Sequence, residues 1–354
     1  MPERPAATPD AAASPTERVG VIGAGLIGGS ITRAYLGTGV DVEVVDLDAD
    51  AIERAAAAGA SPTSLTDLAR AVDVAFLCPP PRTVAPVWAD LVHAAADRTE
   101  GPRLVALDVA SVKRPVVDGL AGTGTPWATD DAVFILSHPM AGREHIGWDA
   151  SDPRLFQGAS WILLPPEHAT GAELARAIQA VQALGASVCF MEVAFHDRFA
   201  ALTSHVAHAF AFTFQRMVDE MDPSGWRRFS GNSLRDLLRV SVSDADLWTE
   251  ILEGSAHELQ PILTELGRRL TAFDPSHDVP AAPPTPPHPD ATDADGRPRQ
   301  VRLPWDAPVG AQLGALLRTG EDGLHLADWA RRPESGELLL TFGAPVASDP
   351  RGGA

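Results

Sequence analysis

The sequence predicts an α/β protein: a doubly wound, mostly parallel sheet, then an all-helical domain, then a small C-terminal α+β appendage. Three observations carry this reading. Short apolar runs alternate with Ala-rich helical stretches over the first half of the chain, the pattern of parallel strands joined by helical crossovers. From about Val193 the apolar residues recur at three- and four-residue steps instead. A proline-rich stretch then sets off a short strand–helix–strand–strand pattern.

In chain order, residues 1–17 are rich in Ala, Pro and Thr and lack the apolar segment of a signal peptide, so they read as a disordered leader. Arg18–Gly25 is a strand running into glycines, followed by a helix to about Gly39 and a strand, Val42–Val45, that stops at Asp46. Further strands are expected at Val74–Leu77, Leu104–Leu107, Phe134–Leu136 and Trp161–Leu164. Helix Gly171–Leu184 and strand Ser187–Glu192 close the first domain, 18–192.

In the second domain, 193–273, Phe195, Phe199, Leu202, Val206, Phe210 and Phe214 mark one face of a long amphipathic helix. Helical segments continue through Trp248–Leu252 to Leu270, with a kink expected at Pro261. The apolar stripe is longer than one small bundle needs, so a dimer interface, and a homodimer, are expected here. Residues 274–298 hold seven prolines between Pro275 and Pro289 and form a linker. The appendage, 299–346, contains strands Val301–Trp305, Leu324–Trp329 and Glu337–Phe342 and helix Val309–Leu317, and the tail Ala347–Ala354 frays.

Composition narrows the function. The 354 residues carry a formal net charge of −19, which argues against nucleic acid or an anionic membrane as partner. No run of 18 apolar residues is present to span a bilayer. The two cysteines, Cys78 and Cys189, lie in apolar runs and read as small buried hydrophobes in a reducing compartment, so a cytoplasmic location is expected. Any anionic substrate must meet a local cationic pocket. Lys113 is the one lysine among many arginines, and a lysine retained against that bias suggests a specific task.

The segment Gly23-Ala24-Gly25-Leu26-Ile27-Gly28 fits G-x-G-x-x-G. The pattern alone is weak, but here it follows a strand, opens a helix, and precedes by 23 positions an acid, Asp46, at the end of the next strand. That context marks a Rossmann dinucleotide-binding domain. Gly23 serves the tight turn, Gly25 the approach of backbone to pyrophosphate, and Gly28 the close packing of helix on strand. The amides of Leu26 and Ile27 belong to a helix N-terminus suited to phosphate. Asp46 is suited to the adenine ribose hydroxyls, and Leu47 and Asp48 offer no cation for a 2′-phosphate, which favours NAD over NADP.

Three further segments concentrate polar residues: Asp108 to Lys113 after a strand, Ser137 to Glu144 around His138-Pro139-Met140-Ala141-Gly142, and Leu234 to Arg239, followed by Ser243, Asp244 and Trp248. With the glycine loop, they resemble the prephenate/arogenate dehydrogenase family of tyrosine biosynthesis, over roughly residues 18–272. The resemblance implies His138 as the base that takes a ring-hydroxyl proton while hydride leaves for NAD⁺. It implies Ser111 beside the nicotinamide and the hydroxyl, Arg239 as a carboxylate anchor, and His208 and Trp248 facing a small-molecule substrate. It assigns no metal; the His205-x-x-His208 spacing offers a pair without an evident third ligand.

Plainer structural roles stay open for each: a capping or core histidine at 138, a turn serine at 111, a surface ion pair at Arg239, core packing at Trp248. Lys113 could hold a phosphate, hold its own loop, or be solvated. The sequence departs from the family pattern at Arg143 after the HPMAG segment, at Leu237-Leu238, at Ser255 and at Ala207. Arogenate or 4-amino-4-deoxyprephenate are alternative substrates, with Glu144 a candidate partner for an amino group. A non-catalytic NAD sensor and a 3-hydroxyacid dehydrogenase are the readings from other classes. The appendage reads as a packing or dimer-bracing element, or as a shortened ACT-type regulatory module.

Overall fold

The computed structural model describes residues 18–143, 145–221, 225–242, 244–280, 292–293 and 296–344. Glu144, Ser243, the leader, most of the proline-rich stretch and the tail lie outside the described residues. The first half of the chain builds one sheet from β1 (Val19–Ile22), β2 (Val42–Val45), β3 (Ser61–Pro62), β4 (Val74–Leu77), β5 (Leu104–Asp108), β6 (Ala132–Pro139), β7 (Ser160–Leu164) and β8 (Ser187–Phe190). Across the sheet the order is β3-β2-β1-β4-β5-β6-β7-β8, and only β6 and β7 pair antiparallel.

The connecting helices are α1 (Leu26–Gly37), α2 (Ala49–Ala57), α3 (Leu65–Ala71), α4 (Pro81–Ala95), α5 (Arg114–Thr123) and α6 (Gly171–Ala183). Strands β4 and β5 are buried at every position, as a sheet covered by helices on both faces requires. The strand order reverses between β1 and β4, and the crevice at their carboxyl ends is where such sheets bind ligands.

Strand β6 runs further than the Phe134–Leu136 expectation. Its pairing with β5 stops at Ile135, but pairing with β7 continues through His138 and Pro139, opposite Ile162 and Trp161. His138 therefore sits on rigid strand beyond the edge of its parallel neighbour, not on the loop after it.

The helical region comprises α7 (Val193–Ala200), a π-helical turn at Ala201–His205, α8 (Val206–Met221), α9 (Asn232–Leu238), α10 (Ala245–Gly254), α11 (Ala256–Thr271) and the short α12 (Pro275–Asp278). Helix α11 continues through Pro261 as one element. The expected apolar stripe is only partly covered: Phe195 is 37% and Leu202 59% exposed, and Met217, Met221 and Phe229 are also exposed.

The appendage contains β9 (Gln300–Pro304), α13 (Leu313–Glu321), β10 (His325–Arg332) and β11 (Glu337–Gly343), in an antiparallel sheet of order β10-β11-β9. It shares the core of the first domain: Leu303, Leu316, Leu340 and Phe342 belong to one apolar cluster with Val19, Phe76 and Trp161. Helix α13 lies so close to β8 that a Cβ at Gly320 would fall 1.7 Å from the Phe190 carbonyl oxygen. The outer face of β8, the last strand of the large sheet, is thereby covered.

Candidate active site

The glycine loop has the geometry its spacing predicts. Gly23 takes φ +97°, a left-handed conformation that favours glycine, and its N–H donates to the Val45 carbonyl at 2.8 Å. A Cβ at Gly28 would lie 1.8 Å from the Gly23 oxygen, so α1 approaches β1 only because that residue is glycine. A Cβ at Gly25 would meet no protein atom within 4 Å, so packing within the chain does not require glycine there; a ligand drawn close to this backbone would. Gly25 caps α1 without a side-chain bond, and the first turn, at Leu26 and Ile27, holds no acid to compete with a phosphate. At the end of β2, Asp46 accepts hydrogen bonds from the N–H groups of Ala24 and Asp48 (the latter at 2.8 Å), which fixes its carboxylate beside the loop. These residues fit a dinucleotide.

The ends of β5 and β6 are locked together by a buried ion pair. Lys113, fully buried, donates from Nζ to Asp108 Oδ2 and to the Ser137 carbonyl, each at 2.5 Å. Asp108, also fully buried, accepts from the Ser137 and Ala110 N–H groups at 2.7 and 3.1 Å. Of the three roles open for Lys113, the structure removes solvation and supports holding its own loop. Ser111 lies partly exposed on the turn between Asp108 and Lys113.

His138 is 9% exposed, and its Nδ1 lies 2.9 Å from Nε2 of His196 on α7. His196 Nδ1 lies 2.9 Å from Asp197 Oδ1, and the Asp197 carboxylate also accepts the backbone N–H groups of Lys113 and Arg114, each at 2.9 Å. Burial first, then the charges of His196, Lys113 and His205, push His138 well below the usual imidazole range, so at neutral pH it is uncharged. Sequence reasoning missed His196 and Asp197. The available signal was a His–Asp pair inside an otherwise helical, half-apolar run just after β8.

From His138 the polar cluster continues into the helical region. His205, on the π-helical turn, is 1% exposed and packs edge-on against Trp248, with ring centroids 6.2 Å apart. Such π insertions recur at functional sites. Trp248 in turn stacks on His208 at 3.4 Å. His208 donates from Nδ1 to the Ser204 carbonyl, and it is held below its usual range by burial and, among the rest, by the positive charge of Arg239. Arg239, Arg235 and Arg228 line one cavity of about 370 Å³ with Gln215 and Leu238. Arg235 is thus a wall of the same cavity as Arg239.

Arg143 pairs with Asp152, whose N–H donates to Ser30 Oγ on α1 at 3.0 Å, so this departure from the family pattern is tied to the cofactor helix. Cys189 is buried and Cys78 partly so, and burial pushes both thiols up, Cys189 to about 12. Among the described residues, no group of three His, Cys, Asp or Glu side chains could hold a metal ion, and no helix is long and apolar enough to cross a membrane.

A Rossmann glycine loop with a carboxylate at the second strand, in a domain that also carries a strand-borne neutral histidine, marks a nicotinamide-dinucleotide oxidoreductase. Comparison with known proteins is more specific. Residues 30–190 match the prephenate dehydrogenase nucleotide-binding domain and residues 192–274 the prephenate dehydrogenase dimerization domain. The chain is 31% identical over 255 residues to the cyclohexadienyl dehydrogenase of Zymomonas mobilis, covering 70% of this chain and 84% of that protein. It is 32% identical over 254 residues to "Probable prephenate dehydrogenase NovF" of Streptomyces niveus, covering 72% and 67%. The chain belongs to the prephenate dehydrogenase family. Among solved structures, the prephenate dehydrogenase of Aquifex aeolicus, bound to hydroxyphenyl propionate and NAD⁺, shares the fold with a TM-score of 0.63 at 22% identity, over 73% of this chain and 90% of that one. The family matches end at residue 274, so the C-terminal sheet lies outside both.

Proposed function

We propose that this chain catalyses the NAD-dependent oxidative decarboxylation of prephenate to 4-hydroxyphenylpyruvate in tyrosine biosynthesis. When bound, NAD⁺ supplies the hydride acceptor. His138 takes the proton from the 4-hydroxyl as hydride leaves C4, and loss of the ring carboxylate as CO₂ restores aromaticity. Ser111, on the turn that Lys113 anchors, orients the hydroxyl. Arg239 grips a carboxylate through parallel charge-assisted bonds. Prephenate carries two carboxylates, and the neighbouring Arg235 and Arg228 give this acidic chain the cationic wall that a dianion needs. Trp248 and His208, stacked on one another, face the substrate.

The reading is supported by a polar series: His138 bonds to His196, His205 lies within electrostatic range of both, Trp248 packs on His205 and His208, and Arg239 lies within electrostatic range of His208. Two finer readings go with it. NAD is preferred to NADP because a 2′-phosphate would face the Asp46 carboxylate, and Leu47 and Asp48 offer no compensating cation. The chain functions as a homodimer through its helical region, on the strength of the dimerization-domain match and of the exposed Met217, Met221 and Phe229. Arogenate and 4-amino-4-deoxyprephenate retain the same base and hydride geometry.

The test is an assay of NAD⁺ reduction and CO₂ release with all three substrates, with NADP⁺ in parallel. Prephenate with NAD⁺ is expected to give the highest kcat/KM, and His138→Ala to abolish turnover while NAD⁺ binding persists. Failure of all three substrates would refute the proposal.

A further inference from the structure

His138, His196 and Asp197 form a single file of hydrogen bonds, and the direction of that file can be worked out from its far end. Asp197 is the fixed point. Its two carboxylate oxygens accept the main-chain N–H groups of Lys113 and Arg114, so the carboxylate cannot turn, and hydrogen bonds and the His196 ring hold it ionised below the usual carboxylate range. A carboxylate only accepts, so His196 Nδ1 must carry a proton. His196 is fully buried, and burial outweighs Asp197 in setting its charge, so the ring is neutral and its Nε2 bears a lone pair. His138 Nδ1 must then be the donor across the 2.9 Å contact, which leaves Nε2 as the lone-pair nitrogen of His138. The two rings meet at 71°, edge to face, as one in-plane N–H directed at a neighbouring ring nitrogen allows.

We propose that His196 and Asp197 are positioning residues that hold His138 in its Nδ1–H tautomer, keeping Nε2 available as the proton acceptor. This rests on the functional reading above and deepens it. The consequence is a shared titration. A proton arriving at His196 Nε2 reverses the middle hydrogen bond and forces His138 into the Nε2–H form, so the base is lost before His138 itself is charged. The acid limb of activity belongs to the pair. The groups facing this pair are His205 from the π-helical turn, Lys113 from the start of α5, Asp108 from β5 and Asp197 from α7 itself. The backbone amides that hold Asp197 come from the segment that carries Ser111, so base and turn are set by one anchor.

The experiment compares His196→Gln with His196→Leu in the full-length protein. A glutamine amide presents an acceptor and a donor separated much as the two ring nitrogens are, so it can accept from His138 and donate to Asp197 without titrating. His196→Gln is expected to retain kcat within about tenfold and to shift the acid limb of kcat/KM. His196→Leu is expected to lose ~100-fold or more in kcat, with KM for NAD⁺ within about twofold of the parent. Equal loss in both variants with an unmoved acid limb would assign His196 a merely structural role and overturn the proposal, as would a fully active His196→Leu.

A second measurement needs no variant and no substrate: ¹⁵N spectra of histidine-labelled resting protein at neutral pH should show His138 protonated at Nδ1. A resonance pattern for the Nε2–H tautomer would overturn the relay while leaving the proposed reaction standing. Absence of turnover with every cyclohexadienyl substrate would defeat the reaction while leaving the tautomer result intact.

Discussion

Replacing Lys113 by methionine removes one partner of an ion pair in which both side chains are fully inaccessible. Methionine fills nearly the same volume, so the cost is electrostatic. The Asp108 carboxylate keeps two amide donors, from Ser137 and Ala110, but loses its counter-ion, and the Ser137 carbonyl loses a donor. Orphaning one member of a buried pair costs about 3–5 kcal/mol. For a domain of this size that corresponds to a fall in Tm of roughly 10 °C. Trp161 donates to Ser137 Oγ at 3.1 Å, so its fluorescence reports on the affected site during thermal unfolding.

The control is the double variant Lys113→Met with Asp108→Asn. A neutral amide keeps an acceptor for the Ser137 N–H and offers a donor to the Ser137 carbonyl, so most of the loss should be recovered. A Tm for Lys113→Met within 2 °C of the parent would refute the reasoning, since it would mean that the carboxylate is solvated or protonated without its lysine.

Asp46→Asn should raise KM for NAD⁺ by ~10–100-fold, the worth of a charge-assisted hydrogen bond, and narrow the preference over NADP⁺; parallel titrations of both cofactors check this. Arg239→Ala should raise KM for the substrate ~10–100-fold with kcat less affected, and an unchanged KM in steady-state assays would remove it as an anchor. His205 is held at about 4 rather than the usual 6.5, and His138 and His196 are also depressed. Because the unfolded chain binds protons first, the stability tied to neutral His205, about 3 kcal/mol, is fully present above pH 6.5 and lost as pH falls towards 4. Urea midpoints measured from pH 7 down to 4.5 should decline accordingly, and His205→Gln should flatten that decline.

The parts of this molecule legible in the sequence are those with a local cause. Gly23, Gly28 and Asp46 announce themselves because a tight turn, a close helix–strand approach and a carboxylate at a strand end are each properties of a few adjacent residues. The strand–helix alternation is legible for the same reason. His138 was found, but its placement on strand was not, because β6 outruns its parallel neighbour only by pairing with β7, which lies over twenty residues further on. His196 and Asp197 were missed because their role depends on a contact across 58 residues, and a His–Asp pair on a helix looks like any other polar step. The appendage's strands could be read, but not their share in the first domain's core, since no periodicity says which sheet a strand will pack against.

Asp108, Lys113, Ser137, His138, His196 and Asp197, all buried, serve one junction. Asp108 and Lys113 join β5 to β6; Asp197 joins α7 to the start of α5; His196 joins α7 to β6. The bonds of Asp197 and His196 also link the dinucleotide domain to the helix leading into the substrate region, and that of His196 reaches the residue that performs the proposed chemistry. An apolar junction of equal volume would cost less to desolvate, and it would pack as well. It would not impose a direction on hydrogen bonds. A general base needs that direction, because an imidazole packed between hydrocarbon walls is free to carry its proton on either nitrogen, and one of the two tautomers is inert. The fixed carboxylate of Asp197 removes that freedom, which accounts physically for charged and polar side chains at a depth where this protein elsewhere places Val, Leu and Phe.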